Sequence, residues 1–366
     1  MFPTNYNDIL KRIDEVDPFL YGKTRNYIDG AVTRLSPYIS RGVITTKIIR
    51  DRLVERGYDL TKITRFLQEL AWRDYFQQVW KYKGNLINQD LKTTQQDVDN
   101  EKMPAAIINA STGIEAIDKA IREFYLTGYL HNHVRMYVAS LACNWGKSHW
   151  KTPAKWMYFH LMDGDWASNA LSWQWVAGAF SSKKYIALQN NINKYCYTTQ
   201  KNTFIDFDYN EINVLGKPSS LQQTTCPELK TYLPEKKDIQ IDPKLPTLIY
   251  NTYNMDPMWK KNLKANRILL LEPSHFADYP VSEKVINFVL KLTENVPGIQ
   301  VFAGEFYELS RKYNLRNIYY KEHPFNRHYT GKEEPRDWMF ETRGYFPSFF
   351  SYWKNCEKEC VGTTQL

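Results

Sequence analysis

The spacing of apolar residues changes partway along the chain, and this change limits the fold more than any other feature. Up to about residue 200, apolar residues recur at intervals of three and four, as in Ile63, Phe66, Leu67 and Leu70, which is the period of amphipathic helices. After residue 245, apolar runs typical of buried strands alternate with helical patterns. We therefore expect a mainly α-helical domain at 1–202 and a smaller C-terminal α/β domain, Rossmann-like with a parallel sheet, at 245–366.

The stretch 203–244 contains four Pro and lacks apolar periodicity, so it is interpreted as a linker. Beyond it, strands are predicted at 247–250, 267–271, 299–302 and 318–320, and helices at 281–296 and 305–313. The segment 338–353 is dense in Trp, Tyr and Phe. We expect it to pack back onto the body of the protein, because an exposed version would form an adhesive patch.

Composition narrows the class of protein without naming a function. The chain has 366 residues, a formal net charge of +8 and 15% aromatic residues. It has no apolar run near the roughly 18 residues that span a bilayer, and it starts without a signal segment. We expect a cytoplasmic monomer with no membrane partner. The positive charge suits an anionic partner such as nucleic acid, although it also serves solubility.

The five cysteines are scattered and contain no Cys-x-x-Cys pair. They are interpreted as reduced thiols with no bound metal. An iron–sulfur cluster built from cysteines distant in sequence is the alternative.

Two short segments in the first hundred residues carry polar groups suited to ligand binding. Thr33 and Ser36 precede a helix, where hydroxyls and free backbone N–H groups can hold a phosphate or simply cap the helix. Further on, Glu69 and Arg73 stand four apart on a predicted helix with Trp72 beside them. A surface salt bridge is the usual explanation, but burial of the Trp would draw both charges into a cleft.

A second set of polar and aromatic residues is richer. Spacings of three and four place Asn132, Arg135 and Met136 on one helix face, and Asn169 and Trp173 on another. Carboxylates, an amide and indoles that converge in this way suit a large planar heteroaromatic ligand, with Arg135 neutralising one carboxylate. A polar network that fixes helix packing is the alternative. Asp163-Gly-Asp165 lacks the further oxygen ligands of a calcium loop, so no metal is expected.

Taken together, these segments resemble the flavin-binding domain of the DNA photolyase and cryptochrome family. The resemblance is carried by four motifs in order over residues 20–200: TRLSP (33–37), ELAWRDYF (69–76), TGYLHNHVRM (127–136) and DGDWASNALSWQW (163–175). Trp150, thirteen residues before Asp163, also keeps the family spacing.

The resemblance implies that the helical domain binds FAD in a bent form, reduced when active. Cofactor-binding residues would be Tyr21, Thr33, Leu35 and Ser36 near the phosphates, Phe66 and Arg73 beside the cofactor, and Asn132, Arg135, Asp163, Asp165 and Asn169 around the isoalloxazine. An Arg135–Asp163 ion pair and an Asn169 opposite the flavin N5 are expected. Trp173 and Trp150 would be the inner and middle members of an electron relay.

The resemblance also implies damaged DNA as the partner. Residues matching those that grip a flipped-out cyclobutane pyrimidine dimer are Glu69, Trp72, Asn132, Met136 and Trp175, and the implied catalytic residues are Glu69, Asn169, Trp150 and Trp173. The implied activity is that of a deoxyribodipyrimidine photo-lyase, a flavoprotein that repairs DNA with light. The alternative is a blue-light photoreceptor of the cryptochrome type; a third possibility is a flavin-holding nucleic-acid binder without photochemistry.

Several departures from the family pattern stand out. Phe66, Tyr129 and Val32 replace residues common in relatives, and no Trp lies near residues 95–100, where many relatives carry the outer end of the relay. The order of the domains also differs, since the family's α/β antenna domain usually precedes the helical one. The C-terminal α/β segment is interpreted as a permuted equivalent, and the identity of a second, antenna chromophore is left open.

Overall fold

The computed structural model describes residues 2–181, 183–207 and 216–362. The helices are α1 (Tyr6–Asp14), α2 (Pro18–Thr24), α3 (Ser36–Ser40), α4 (Thr46–Glu55), α5 (Thr64–Lys83), α6 (Ala105–Ile108), α7 (Glu115–Thr127), α8 (Asn132–Ser140), α9 (Lys151–His160), α10 (Trp166–Ala177), α11 (Gln189–Cys196), α12 (Pro273–Asp278), α13 (Glu283–Leu292), α14 (Phe306–Lys312) and α15 (Phe349–Gly362). The strands are β1 (Met103–Pro104), β2 (Thr224–Thr225), β3 (Thr247–Tyr250), β4 (Asn266–Leu271), β5 (Ile299–Ala303), β6 (Ile318–Lys321) and β7 (Lys332–Glu334). Within the described ranges, no helix is both long and apolar enough to cross a membrane.

The chain forms two compact units that alternate along the sequence. Unit 1 consists of Met1–Gly22, Thr33–Tyr82 and Lys230–Leu366, and unit 2 consists of Lys23–Val32 and Lys83–Leu229. Both units draw on the helical segment 1–202. The domain boundaries at 202 and 245 therefore stay a prediction from the sequence. The two units describe which segments pack together in the structure.

Unit 2 is built around α8, α9 and α10. The middle of α10 is buried on nearly every side, as expected for a helix with an apolar composition all round. It starts where an Asp165 side-chain oxygen accepts the backbone N–H of Ser168 at 2.9 Å, and it ends at Gly178, whose φ of +83° favours glycine. The short strands β1 and β2 pair antiparallel, so part of the predicted linker is engaged in unit 2.

Unit 1 contains a five-stranded parallel sheet with the order β5-β4-β3-β6-β7. Strand β3 lies in the middle and is buried along its whole length, which explains its continuous apolar sequence. Successive strands run outward from β3 first through β4 and β5 and then, on the other side, through β6 and β7. This reversal creates a crevice at the carboxyl ends of the strands, lined in part by Asn251, Tyr253, Glu272, His275 and Phe325.

The predicted fold class is confirmed by these elements: helices through the first half and a parallel α/β sheet in the C-terminal part. Each predicted strand is present within one or two residues of its expected bounds. Helix α13 is shorter than predicted, because it starts at Glu283 and gives way to a 3-10 turn at Thr293–Asn295. That the sheet is a permuted relative of an antenna domain stays a prediction.

The aromatic tail packs onto helix α5 within unit 1, as expected. The Asp74 carboxylate is buried and accepts the Met339 backbone N–H at 3.0 Å and the Thr46 hydroxyl at 3.0 and 3.1 Å. The side chain of Gln78 donates to the Thr342 carbonyl and accepts the Gly344 N–H. These bonds tie residues 339–344 of the tail to α5.

Candidate functional site

Helix α8 presents Arg135 to a buried carboxylate of unit 2. The guanidinium donates to both Asp163 oxygens at 2.9 and 3.0 Å, and its Nε donates to the Leu130 carbonyl at 2.8 Å. The Asp163 side chain is only 5% exposed. The ion pair expected from the sequence is thus present, and it is charge-balanced, as a buried pair needs to be.

Asn169 fixes the register between α9 and α10. Its side-chain amide donates to the Ala154 carbonyl at 2.8 Å. The two helices are joined by only five residues, so they run in opposite directions as an αα-hairpin. Trp173 lies one turn beyond Asn169 in α10, and Trp150, the N-cap residue of α9, lies one turn before Ala154.

Trp150 is fully buried and its indole N–H donates to an Asp90 oxygen at 2.7 Å. The same oxygen lies 3.2 Å from the His149 ring nitrogen Nε2. Neither Asp90 nor His149 was predicted from the sequence. A buried indole N–H predicts some acceptor, but nothing in the sequence indicates that the acceptor lies sixty residues away.

Met136, Asn132 and Trp175, the predicted substrate residues of unit 2, are accessible to different degrees. Asn132 is exposed at the start of α8, Met136 is half-buried, and Trp175 is 37% exposed with Tyr185 stacked at a ring-centroid distance of 6.0 Å. Their accessibility is compatible with contact to a ligand.

Unit 1 holds the predicted phosphate-side residues. Tyr21 packs edge-on against the buried Phe66 ring at 5.0 Å. The Thr33 hydroxyl accepts the Leu35 backbone N–H at 3.3 Å, and α3 starts at Ser36. The hydroxyl of Thr33 thus makes a local turn contact, and the Leu35 side chain is buried.

Helix α5 carries the remaining predicted residues of unit 1. Glu69 and Arg73 are both half-buried, in keeping with charges drawn toward the interior beside an aromatic ring. Trp72 is also half-buried, and one of its faces is covered by Phe349, with ring centroids 3.8 Å apart and planes 10° from parallel. The sequence analysis predicted that the tail packs onto the body, but not that it covers Trp72.

His131, at the start of α8, gives unit 2 a dependence on pH. Burial lowers the pKa of its imidazole to about 4, and its Nδ1 accepts the His133 N–H. Because the pKa in the folded state lies below the unfolded value of about 6.5, the neutral form is favoured by folding, and stability is lost as the pH falls from about 6.5 toward 4.

We expect His131 to lower the free energy of unfolding by about 2 kcal/mol between pH 7 and pH 5. Denaturant unfolding at both pH values measures the loss, and His131→Gln should reduce it by that amount. An unchanged pH dependence in the variant contradicts the assignment.

Comparison with known proteins supports the resemblance. Residues 66–225 match the family described as the FAD binding domain of DNA photolyase. This part of the chain is therefore similar to that domain. A deoxyribodipyrimidine photo-lyase from Agrobacterium fabrum is 30% identical over 179 residues, which cover 46% of this chain and 37% of that protein. The enzyme of the same name from Streptomyces griseus is 31% identical over 172 residues, or 44% of this chain and 37% of that protein.

Among solved structures, a Synechocystis sp. PCC6803 cryptochrome aligns with a TM-score of 0.47 and 24% identity, over 53% of this chain and 44% of that one. An archaeal photolyase from Sulfolobus tokodaii aligns with a TM-score of 0.44 and 22% identity, over 53% of this chain and 45% of that one. The chain spans less than half the length of the curated relatives it matches.

The donor set of unit 2 fits the polar edge of a flavin. A guanidinium, two carboxylates and a carboxamide lie among buried aromatic and aliphatic side chains: Arg135, Asp163, Asp165 and Asn169. A flavin offers both donors and acceptors at its ring edge, and this set offers both in return. No group of three metal-ligating side chains occurs in the parts of the chain that the structure describes.

Proposed function

We propose that this protein repairs cyclobutane pyrimidine dimers in DNA with light. When held by the residues named below, reduced FAD would supply the absorption of blue or near-UV light and the transferable electron needed to open the cyclobutane ring, with no net oxidation or reduction. Because light supplies the energy, the protein mainly positions donor and acceptor and excludes water.

Each predicted residue keeps its role in this proposal. Arg135, Asp163, Asp165 and Asn169 would hold the isoalloxazine; Tyr21, Thr33, Leu35, Ser36, Phe66, Arg73 and Asn132 would make the other cofactor contacts; Trp173 and Trp150 would relay electrons. Asn132 and Met136 would contact the damaged bases. Trp72 and Trp175 would replace the stacking that a flipped dimer loses, and Glu69 would hydrogen-bond one of its bases.

The observation that carries the proposal is the Arg135–Asp163 pair together with the register set by Asn169. Both contacts lie within the segment that matches the FAD binding domain of DNA photolyase, and they support a flavin site there with Trp173 and Trp150 as the proposed relay residues. The net charge of +8 favours binding to the DNA backbone, and that binding should weaken with salt.

A repair assay tests the proposal. Purified protein is loaded with FAD, reduced with dithionite and illuminated with an oligonucleotide that contains one thymine dimer. We expect the dimer to disappear in the light and to persist in the dark. Dimer content that is unchanged after illumination contradicts the proposal, and light-dependent binding of a protein partner without repair favours the cryptochrome alternative.

Glu69→Gln is expected to reduce the repair rate at least about tenfold, because a neutral amide keeps the shape of the side chain but loses its acid–base chemistry. The rate is measured with saturating oligonucleotide, so that weaker binding does not contribute. Glu55→Gln, at the end of α4, serves as a control and should repair at the wild-type rate. A Glu69→Gln protein that matches the wild type removes Glu69 from the mechanism.

A further inference from the structure

Trp150 differs from its neighbours in the chemistry of its hydrogen-bond acceptor. The indole of Trp156 donates to the Tyr125 hydroxyl, and that of Trp166 donates to the Asn88 amide oxygen. Both of those acceptors are neutral. The indole of Trp150 donates to the Asp90 carboxylate at 2.7 Å, the same length as the Trp166–Asn88 bond, so the difference lies in the chemistry of the acceptor and not in the distance.

The Asp90 carboxylate is held rigidly. Its second oxygen accepts the Gln95 backbone N–H at 2.8 Å, and the Gln95 side chain in turn accepts the Trp150 backbone N–H at 3.0 Å and donates to the Ser148 carbonyl. The carboxylate and the indole are therefore fixed to the same small network, and no reorganisation is needed for a proton to move between them.

His149 connects this pair to the surface. Its Nε2 lies 3.2 Å from the Asp90 oxygen, and its Nδ1 lies 3.4 Å from the Lys151 backbone nitrogen and 3.7 Å from a Glu101 oxygen; with the hydrogen on Nε2 the ring donates to Asp90. The His149 side chain is 17% exposed, whereas the Trp150 side chain is fully buried. The ring of His149 is also in contact with that of Trp150, at 5.6 Å.

The sequence gives a reason why a proton acceptor matters here. It contains no Trp between Trp80 and Trp145, so the expected outer relay member is missing. Once Trp150 is oxidised, no further Trp of the usual series can supply it with an electron. The separated charges then recombine quickly unless the oxidised indole is changed chemically. Loss of its proton is such a change.

We propose that Asp90 accepts the indole proton of Trp150 when Trp150 is oxidised; this inference rests on the proposed relay role of Trp150. Trp150 gives one electron to oxidised Trp173 and becomes a radical cation. Its Nε1 proton passes to the Asp90 oxygen, which leaves a neutral tryptophanyl radical and a neutral carboxylic acid. A thiolate from solution later returns one electron, becoming a thiyl radical, while the proton moves back from Asp90 to Nε1.

Asp90→Asn tests this step, because the amide oxygen still accepts the indole hydrogen bond but takes up no proton. Flash excitation of the FAD-loaded full chain is followed by transient absorption, which distinguishes the tryptophanyl cation from the neutral radical. In the wild type we expect the neutral radical, and a slower formation in D₂O. In Asp90→Asn we expect the cation alone, with return of the electron at least about tenfold faster.

Asp97→Asn is the matched control, since Asp97 is an exposed carboxylate paired with Lys184 in the same unit, and it should behave as the wild type. Equal neutral-radical yields in Asp90→Asn and wild type overturn the inference, as does a wild type without a D₂O effect. Trp150→Phe tests the relay role of Trp150 separately from proton transfer to Asp90. If the radical signal survives in that variant, the relay role is wrong, and the inference about Asp90 fails with it.

A different observation, in unit 1, concerns the face of Trp72 that Phe349 covers. Phe349 is only 3% exposed and stacks nearly parallel on Trp72. The chain just before it is tied to the same helix, because the Tyr75 hydroxyl donates to the Phe346 carbonyl at 3.3 Å and Gln78 accepts the Gly344 N–H. Phe349 thus covers one face of the Trp72 indole.

We propose that Phe349 is an intramolecular cap on Trp72, displaced when a damaged base stacks there; this rests on the proposed substrate role of Trp72. Both occupants present a flat ring to the same indole face, so they compete for it. The cap lowers the affinity for damaged DNA by the cost of moving Phe349 away.

Phe349→Leu keeps an apolar side chain in place but removes the stacked ring. Affinity is measured for a dimer-containing single-stranded oligonucleotide and for its undamaged counterpart, and we expect about tenfold tighter binding of the damaged strand alone. Phe350→Ala, on the exposed side of the same helix turn, is the control and should bind as the wild type.

Suppose that the wild type binds the damaged strand more tightly than the undamaged one. If Phe349→Leu shows the same preference or a weaker one, the cap is overturned while the proposed function stands. If neither protein discriminates between the strands, the proposed function fails and the cap with it.

Discussion

Arg135→Gln is expected to yield protein that is both colourless and markedly less stable. Removal of the guanidinium leaves the Asp163 carboxylate buried without its positive partner. Breaking a buried pair in this way costs about 3–5 kcal/mol. The flavin would lose its cationic contact at the same time. Denaturant unfolding measures the first effect, and the FAD absorbance that survives gel filtration measures the second.

Two variants separate charge from shape at this position. Arg135→Lys keeps the charge but loses the bidentate geometry, so it should retain stability better than flavin. The double variant Arg135→Gln, Asp163→Asn removes both charges, and it should recover most of the stability but not the flavin. Full retention of FAD by Arg135→Gln would exclude the pair from the cofactor site.

Asp74→Ala is expected to lower the free energy of unfolding by about 3 kcal/mol and to loosen the tail. Burial raises the pKa of the Asp74 carboxyl, while the bonds from Met339 and Thr46 act in the opposite direction. Removal of the side chain leaves the Met339 N–H and the Thr46 hydroxyl without their acceptor, and each unsatisfied buried group costs about 1–3 kcal/mol. Denaturant unfolding gives the total, and hydrogen exchange of residues 338–346 reports the tail.

Asp74→Asn is the matched control, because its amide oxygen still accepts the Met339 N–H and its amide nitrogen faces the Thr46 oxygen. We expect it to lose less than half as much stability as Asp74→Ala. If Asp74→Ala and Asp74→Asn lower the free energy of unfolding by equally small amounts, and hydrogen exchange of residues 338–346 is unchanged, Asp74 does not anchor the tail.

The regular elements of this fold follow from local sequence. Strand β3 reads Thr-Leu-Ile-Tyr and is buried throughout, as its apolar run predicted, whereas its central position in the sheet was not predicted. Helix α13 was predicted too long because its apolar face continues to Val296, while the chain tightens into a 3-10 turn after Leu292. Such end effects depend on a few hydrogen bonds that periodicity does not report.

The contacts that define the candidate site depend on residues far apart in sequence, and these were predicted only where a family pattern supplied them. Arg135 and Asp163 are 28 residues apart and were paired through the resemblance. Asp90 and Trp150 are 60 residues apart, and Phe349 lies far beyond Trp72, so no local pattern joined either pair. Asp74 stands inside a recognised motif, yet its role in holding the tail appears only once residues 338–340 are in place.

The absorption spectrum of the purified protein tests the central claim most directly. We expect bound FAD in a ratio near one per chain, with bands that bleach under blue light when a thiol is present. The same bands should persist under light in Trp173→Phe, which lacks the inner relay indole. Protein that stays colourless after incubation with FAD and gel filtration contradicts the account.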